Sequence, residues 1–526
     1  MNWRSRRLLI IKTRYVSQTH KLYVGRDFSC FIDCFPAFDE DGARVMPVSP
    51  ALSHSACQAI ADLLGAQQPW DGSPAARLRF HGEAPAFDSP HALTLSAGAA
   101  IGAYALAVEK WWHLATGRRQ TVAIDWMQAA ASLNPGHFQT QNGYGLPALS
   151  LLTELKADFY RTADQRWFFP IGSYPHLRDG VLELLDCANT PAALGRAIGR
   201  WKGDDLEAAF EEKRLPGVYA RSAEEWLRHP QGALLAQQPV IEVTRIADSD
   251  PEPPCPGPRP LSALRVLDLG HVIAGPVIAR SLAEHGAEVL RITPPMNQDP
   301  FRQTIDTNIG KRSAFLDLTQ AADRQRAREL VSGADVVVQS WRPGSLARRG
   351  LGAEDAAALR PGVIYVSVSA FGDSGPWAER GGFEQLGQTV AGIAVSEGVP
   401  GGKPRVVPTY LLNDYLTGYL GAAGVMLALL RRATEGGSYH VKVSLTRTSM
   451  WVQGLGLEPG FTPREDRRHF AEGLLPLLET RPSAYGVLQQ FPPVAQFSHT
   501  PAHWSLPPAP NGAHPATWLD RLAGMG

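Results

Sequence analysis

A chain of 526 residues and 57.1 kDa corresponds to about three or four domains of ordinary size and can bury a sizeable core. Its 44% hydrophobic and 19% charged residues exclude a disordered or collagen-like polymer. Lys+Arg and Asp+Glu both count 51, so no global basic field exists to hold nucleic acid or an anionic membrane, and any anion site must be local.

Met1–Thr13 carries Arg4, Arg6, Arg7 and Lys12 around a short apolar run, Leu8–Ile11. This is too short for a signal-peptide core and reads as a first strand or a ragged start. Cys30, Cys34, Cys57, Cys187 and Cys255 are scattered, form no disulfide framework or metal-finger pattern, and fit a reducing cytoplasm. The longest apolar neighbourhoods, Ala97–Val108 and Ala422–Leu430, fall short of a membrane span.

Asp248–Pro260 holds six prolines in thirteen residues and predicts an extended connector and a domain boundary. Beyond it, Arg265–Leu269, Glu288–Ile292, Asp335–Gln339 and Val363–Ser367 read as buried parallel strands. They alternate with helix-like Pro276–His285, Ala321–Ser332 and Ala353–Leu359. That order predicts a doubly wound, mostly parallel Rossmann-like α/β domain with ligands beyond the carboxyl ends of its strands. The first strand-to-helix turn, Gly270–Pro276, lacks the glycine spacing of a dinucleotide fingerprint, which argues against NAD. It leaves a helix opening at Pro276 whose first amides face an anion or a carbonyl, or else a plain turn.

The runs Leu264–Leu269, His271–Pro276, Gly286–Arg291, Gly310–Ser313, Leu316–Leu318, Ala334–Val338 and Trp341–Gly344 follow one another in an order and spacing that resemble class III (CaiB/BaiF-type) CoA-transferases. The resemblance continues through Gly350–Gly352, Ser369–Gly372, Gly382–Glu384 and Val441–Leu445. It implies a carboxylate nucleophile at Asp414, which attacks an acyl-CoA thioester and passes CoA to an acceptor acid through anhydride and enzyme-thioester intermediates. The residues support that choice: Asn413 suits an N-cap, and Asp414 then lies in the first turn of an apolar helix reaching Arg431, where the helix dipole favours the ionised carboxylate. Complementing the dipole is the alternative role for Asp414.

The family-like positions for CoA are Arg291, Lys311, Arg312 and Arg348 as cations, Trp341 as a flat surface, and His271, Phe383 and Glu384 at strand and loop ends. Arg291 and Arg348 lead as phosphate contacts and Arg342 comes last. Ser340 stands where family members commonly carry asparagine. Gln141–Gly145 reads either as a surviving glycine-rich loop or as an ordinary surface turn. No metal and no permanently bound cofactor is expected, the CoA thioester being a substrate. The expected partners are an acyl-CoA and a carboxylic acid, with an interlocked homodimer among the possible assemblies.

Ala115–Asp125 echoes Ala433–Ser444, and both follow Ala/Leu-rich helical stretches. Aligning Val122 with Val441 sets Leu95 opposite Asp414, so the earlier copy has no nucleophile. The resulting division is a degenerate large-domain remnant over 1–95, a connecting helix and small α+β domain over 96–247, the linker over 248–260, the catalytic domain over 261–460 and a C-terminal return over 461–526. Phe159–Asp164, Trp167–Phe169, Ala223–Trp226 and His229–Pro230 carry the small-domain resemblance. The roles of Asp33, Asp39 and Glu40 stay open. Two rival readings stand beside CoA transfer. A 2-methylacyl-CoA racemase would need a proton carrier where Phe383 sits, and a catalytically idle CoA-binding subunit would have no use for the retained Asp414.

Overall fold

Strands in this chain form where β-branched and apolar residues are buried on both faces, and helices form where glycine and alanine let them pack closely. The computed structural model describes residues 50–65, 73–84, 87–146, 154–296, 298–458 and 474–520. The expectations for Met1–Thr13, Cys30, Cys34, Asp33, Asp39 and Glu40 fall outside them.

In the first half, β1 (Leu78–His81) pairs in parallel with β2 (Val122–Asp125). β3 (Thr140–Gln141) and β4 (Tyr144–Gly145) form a hairpin around Asn142 and Gly143, at φ 53° and 83°. Asn-Gly at two positive-φ positions is the chemistry of a tight hairpin, so Gln141–Gly145 is a turn. A small α+β domain follows, built on β5 (Tyr160–Arg161), β6 (Trp167–Pro170) and β7 (Gly217–Tyr219) with helices on their flanks.

The large sheet comprises β8 (Glu242–Ala247), β9 (Arg265–Asp268), β10 (Glu288–Thr293), β11 (Arg312–Phe315), β12 (Val336–Gln339), β13 (Ile364–Ser369) and β14 (Ser438–Ser444), in the order β11-β10-β9-β12-β13-β14-β8. All pairs are parallel except β14 with β8. Counted from β9 the order is the doubly wound 3-2-1-4-5-6, which reverses between β9 and β12. Alternate residues face opposite layers. Val266, Val336, Val338, Ile364 and Val366 pack with helices Ala274–Ala283 and Asn413–Glu435, while Leu267, Val337 and Tyr365 pack with Ala321–Ser332 and Ala353–Leu359. Sequence reading assigned 242–247 to the small domain. The structure makes it the antiparallel edge of the large sheet, because Val243 pairs with Val441 and joins that core.

Helix Leu93–Thr116 packs along Asn413–Glu435 in the centre of the molecule. These are the two helices that the internal repeat aligns, and the agreement extends beyond them. Asp125 caps the helix after β2 by accepting the amide of Gln128, and Ser444, its counterpart, caps the helix after β14 by accepting the amide of Arg447. β15 (Glu479–Ser483) and β16 (Gly486–Gln490) extend the β3–β4 hairpin, and β17 (Ala495–Phe497) runs antiparallel to β2. β1, β2 and β17 thus repeat the pattern of β13, β14 and β8. Each triplet takes its antiparallel edge from the end of the other half. Leu95, opposite Asp414, is buried against Ala56 and Trp126.

Candidate active site

The reversal of strand order between β9 and β12 leaves a crevice at their carboxyl ends, and the chain ties the two loops there together. Ser340 Oγ accepts the amide of His271 at 2.9 Å and donates to its carbonyl at 3.1 Å. Trp341 Nε1 donates to the Leu269 carbonyl at 2.7 Å, and its ring lies 4.4 Å from that of His271. Burial pushes the His271 imidazole below its ordinary pKa, with nearby Asp299 opposing and Arg291 adding to the shift. Val272 has a φ of 62°, a strained conformation for a β-branched residue. It is held there by donating its amide to Asp299 Oδ2 at 3.0 Å.

Asp299 is the hub of this corner. Its Oδ2 also takes Arg291 at 2.5 Å, and its Oδ1 accepts the Tyr174 hydroxyl at 2.8 Å. Arg291 is wholly buried and donates to Thr307 and Asn308 as well. Lys311 is equally buried, donating to Asp268 and to the Pro276 carbonyl, each at 2.7 Å. Burial lowers its pKa to about 8, although Asp268 opposes the shift. Arg312 donates to the Thr517 carbonyl at 2.7 Å and pairs with Glu288 at 3.5 Å. Three of the four cations expected to meet phosphate therefore have partners within the protein. Arg348 differs: it is exposed, folds over Gly344, and has no carboxylate partner among the described residues. Half-buried Arg342, ranked last from sequence, donates to the Arg214 carbonyl at 3.0 Å and lies over Gly381, again without a carboxylate among the described residues.

Asp414 sits in the first turn of Asn413–Glu435, as its sequence context predicts. The cap, however, is not Asn413, whose side chain is taken by Ser449 and the Glu384 carbonyl. Glu384 caps this helix from another one. Its Oε2 accepts the amide of Asp414 at 2.6 Å, and its Oε1 accepts the amide of Leu412 at 3.0 Å and Gln388 Nε2 at 2.6 Å. Asp414 is only 6% exposed, and its carboxyl accepts no hydrogen bond among the described residues. Burial, with the Glu384 charge beside it, holds the Asp414 pKa well above the ordinary carboxylate value. Burial raises Glu384 too, but its hydrogen bonds oppose that shift, so Glu384 is the member of the pair better able to carry the charge.

Phe383 precedes Glu384 and faces Tyr174 with ring centroids 6.3 Å apart. Tyr174 comes from the small domain of the first half, and the Asp414 charge contributes to raising its pKa, so it lies within electrostatic reach of that carboxyl. The structure thus gathers Asp414, Glu384, Phe383, Tyr174, Asp299 and Arg291 in one region and joins His271 to Trp341 beside Asp299. Lys311 and Arg312 belong to strand ends and the C-terminal return. Sequence reading missed Tyr174 and Asp299, which no local motif marks because their contacts join distant segments.

The family description CoA-transferase family III matches residues 261–472. The chain is 38% identical over 326 residues to acetyl-coenzyme A transferase nodX of Hypoxylon pulicicidum, covering 58% of this chain and 55% of that protein. It is 33% identical over 198 residues to the succinyl-CoA–L-malate CoA-transferase beta subunit of Chloroflexus aurantiacus, covering 35% of this chain and 49% of that protein. The chain therefore spans about half the length of these curated relatives. A solved CAIB/BAIF family protein from Brucella suis is similar at 27% identity, with a TM-score of 0.35 over 44% of this chain and 65% of that one.

Proposed function

We propose, from the match of residues 261–472 to CoA-transferase family III, that the chain moves CoA from an acyl-CoA donor to a carboxylic acid, with Asp414 as the nucleophile. The observation that carries this reading is the Asp414 carboxyl itself, buried at a helix N-terminus and accepting no hydrogen bond from the described residues, while Glu384 takes the local amides. A carboxylate with few hydrogen bonds in a dry site is a strong nucleophile once ionised.

In the proposed cycle, an Asp414 oxygen attacks the thioester carbonyl and the C–S bond breaks, giving a mixed anhydride and CoA thiolate. The thiolate then attacks the Asp414 acyl carbon and expels the donor acid, leaving Asp414 as a CoA thioester. The acceptor carboxylate attacks that thioester and releases the thiolate, which takes the acceptor acyl group from the second anhydride and restores Asp414. Glu384 keeps the helix end satisfied throughout. His271 and Trp341 offer flat surfaces at the crevice, and Arg348 and Arg342 are the cations we assign to the CoA phosphates. Arg291 acts indirectly, by fixing Asp299 and through it Val272 and Tyr174. Because the small domain of the first half brings Tyr174 to the site, we assign one active site per chain, built by both halves.

Incubating the full chain with acyl-CoAs and digesting it for mass spectrometry tests the reading: a CoA thioester on Asp414 is expected, and its absence with every donor that turns over removes the mechanism. Arg348→Ala and Arg342→Ala should each weaken CoA binding by about 1–3 kcal/mol, as measured by calorimetry. Phe383 cannot carry a proton, so no deuterium should enter the α-carbon of a 2-methylacyl-CoA in heavy water. Rapid exchange would favour the racemase.

A further inference from the structure

A cavity of about 220 Å³ opens between the ends of β12, β13 and β14, segment 238–242 and the loop 342–354. Asp414, Glu384, Phe383, Tyr174 and His271 do not line it. The sheet face beneath is polar. Tyr365, Ser367 and Ser369 pair across β13 and β14 with His440, Lys442 and Ser444, while the intervening Ile364, Val366, Val368, Val441 and Val443 belong to the core with helix Asn413–Glu435.

The hydrogen bonds on this face run in series. The amide of Trp341 can only donate, and it does so to Gln339 Oε1 at 2.8 Å, which orients the Gln339 side chain. Gln339 Nε2 then donates to Ser367 Oγ at 2.8 Å, and Ser367 Oγ lies 2.8 Å from His440 Nε2. Burial, together with Lys442, lowers the His440 pKa to about 4, so the ring is neutral; when Ser367 donates to Nε2, the ring proton sits on Nδ1, where no described residue accepts it. Ser369 Oγ accepts the Gly372 amide at 3.1 Å, and its own proton has no acceptor among the described residues.

The charges narrow which cation is free to bind. Lys442 is held by Asp373 at 2.9 Å and Glu242 at 3.4 Å, which commits it within the protein and leaves that trio with one negative charge in excess. Arg447 donates Nε to the Gln238 carbonyl at 2.8 Å. Its two terminal nitrogens have no partner among the described residues, and burial with no neighbouring carboxylate lowers its pKa. Arg342 also lines the cavity but lies over Gly381, and the remaining carboxylate, Glu354, is exposed. Arg447 and Ser369 thus present uncommitted donors to this cavity, and His440 adds a third when its proton is on Nδ1.

We propose that this cavity is a second ligand site, separate from Asp414, which takes the oxyanion of a small molecule on Arg447 with Ser369 and His440 as further donors. Carboxylate and phosphate share this chemistry. Titration calorimetry of the full chain, with inorganic phosphate in one arm and acetate, malonate and succinate in the other, distinguishes the two sources. Saturable binding is expected in at least one arm, weakened about tenfold or more by Arg447→Gln. Should that variant melt early, Ser369→Ala, which leaves the Arg447–Gln238 contact in place, is expected to weaken the same arm several-fold. The proposal fails if neither arm saturates below about 10 mM, or if folded Arg447→Gln or Ser369→Ala binds as the parent does.

Discussion

Glu384 accepts two backbone amides and a glutamine side chain, whereas neighbouring Asp414 accepts none among the described residues. Both carboxyls have raised pKa values, chiefly from burial. The folded protein therefore keeps a proton that the unfolded chain has already released once pH rises past the ordinary carboxylate range. Stability falls with rising pH from there up to the folded-state pKa. Asp414→Asn removes the penalty, so the variant should lose CoA transfer yet melt a few degrees higher than the parent at pH 7, with the gap closing toward pH 4. Thermal melts across that range check the sign. Lys311 illustrates the opposite case. It is the partner of fully buried Asp268, and Lys311→Met should cost about 3–5 kcal/mol by leaving that carboxylate unpaired, a loss measurable by denaturant unfolding.

At the scale of elements, glycine sets how closely the central helices meet. A side chain at Gly418 would place its Cβ 2.5 Å from Val277, and one at Gly421 would come within 2.4 Å of Ile278. Gly418→Val should therefore push Asn413–Glu435 off Ala274–Ala283, destabilise by about 1–3 kcal/mol and displace Asp414 one turn away, so that both Tm and kcat fall. The strands of the large sheet were legible because buried parallel strands read as β-branched runs, and helices Ala321–Ser332 and Ala353–Leu359 match the sequence reading residue for residue. β8 was not, because the segment Glu242–Ala247 gains its identity only by pairing with β14, far along the chain. The same distance hid Glu384 as a cap and Tyr174 as a wall of the site. Arg291 and Lys311 were legible as cations at strand ends, but not the acids that hold them, since charge in a sequence does not reveal its partner.

Across the whole molecule the two halves are bound reciprocally. β8 closes the sheet of the second half and β17 closes the strand pair of the first, while buried Glu397 accepts from Ser89, His91 and Arg405 to join them near the small domain. The connector 248–260 contains no helix or strand. Cutting the chain between Cys255 and Pro258 and co-expressing the pieces should thus give a complex that co-purifies and transfers CoA, whereas either piece alone should be insoluble or inactive. Size-exclusion chromatography with an activity assay decides it, and independent folding of the pieces would refute the reciprocal arrangement.

The pairing of Leu93–Thr116 with Asn413–Glu435 has a further consequence. When two copies of one chain meet through the same helix, every substitution appears on both sides of the contact and must be tolerated twice. Here each side is encoded separately, so one helix can exchange chemistry for packing without its partner following. Leu95 and Asp414 occupy corresponding first turns, one sealed against Trp126 and the other a carboxyl that accepts no hydrogen bond among the described residues. Division of labour between a structural and a reactive copy is open to a chain that carries both, and closed to one that must dimerise with itself.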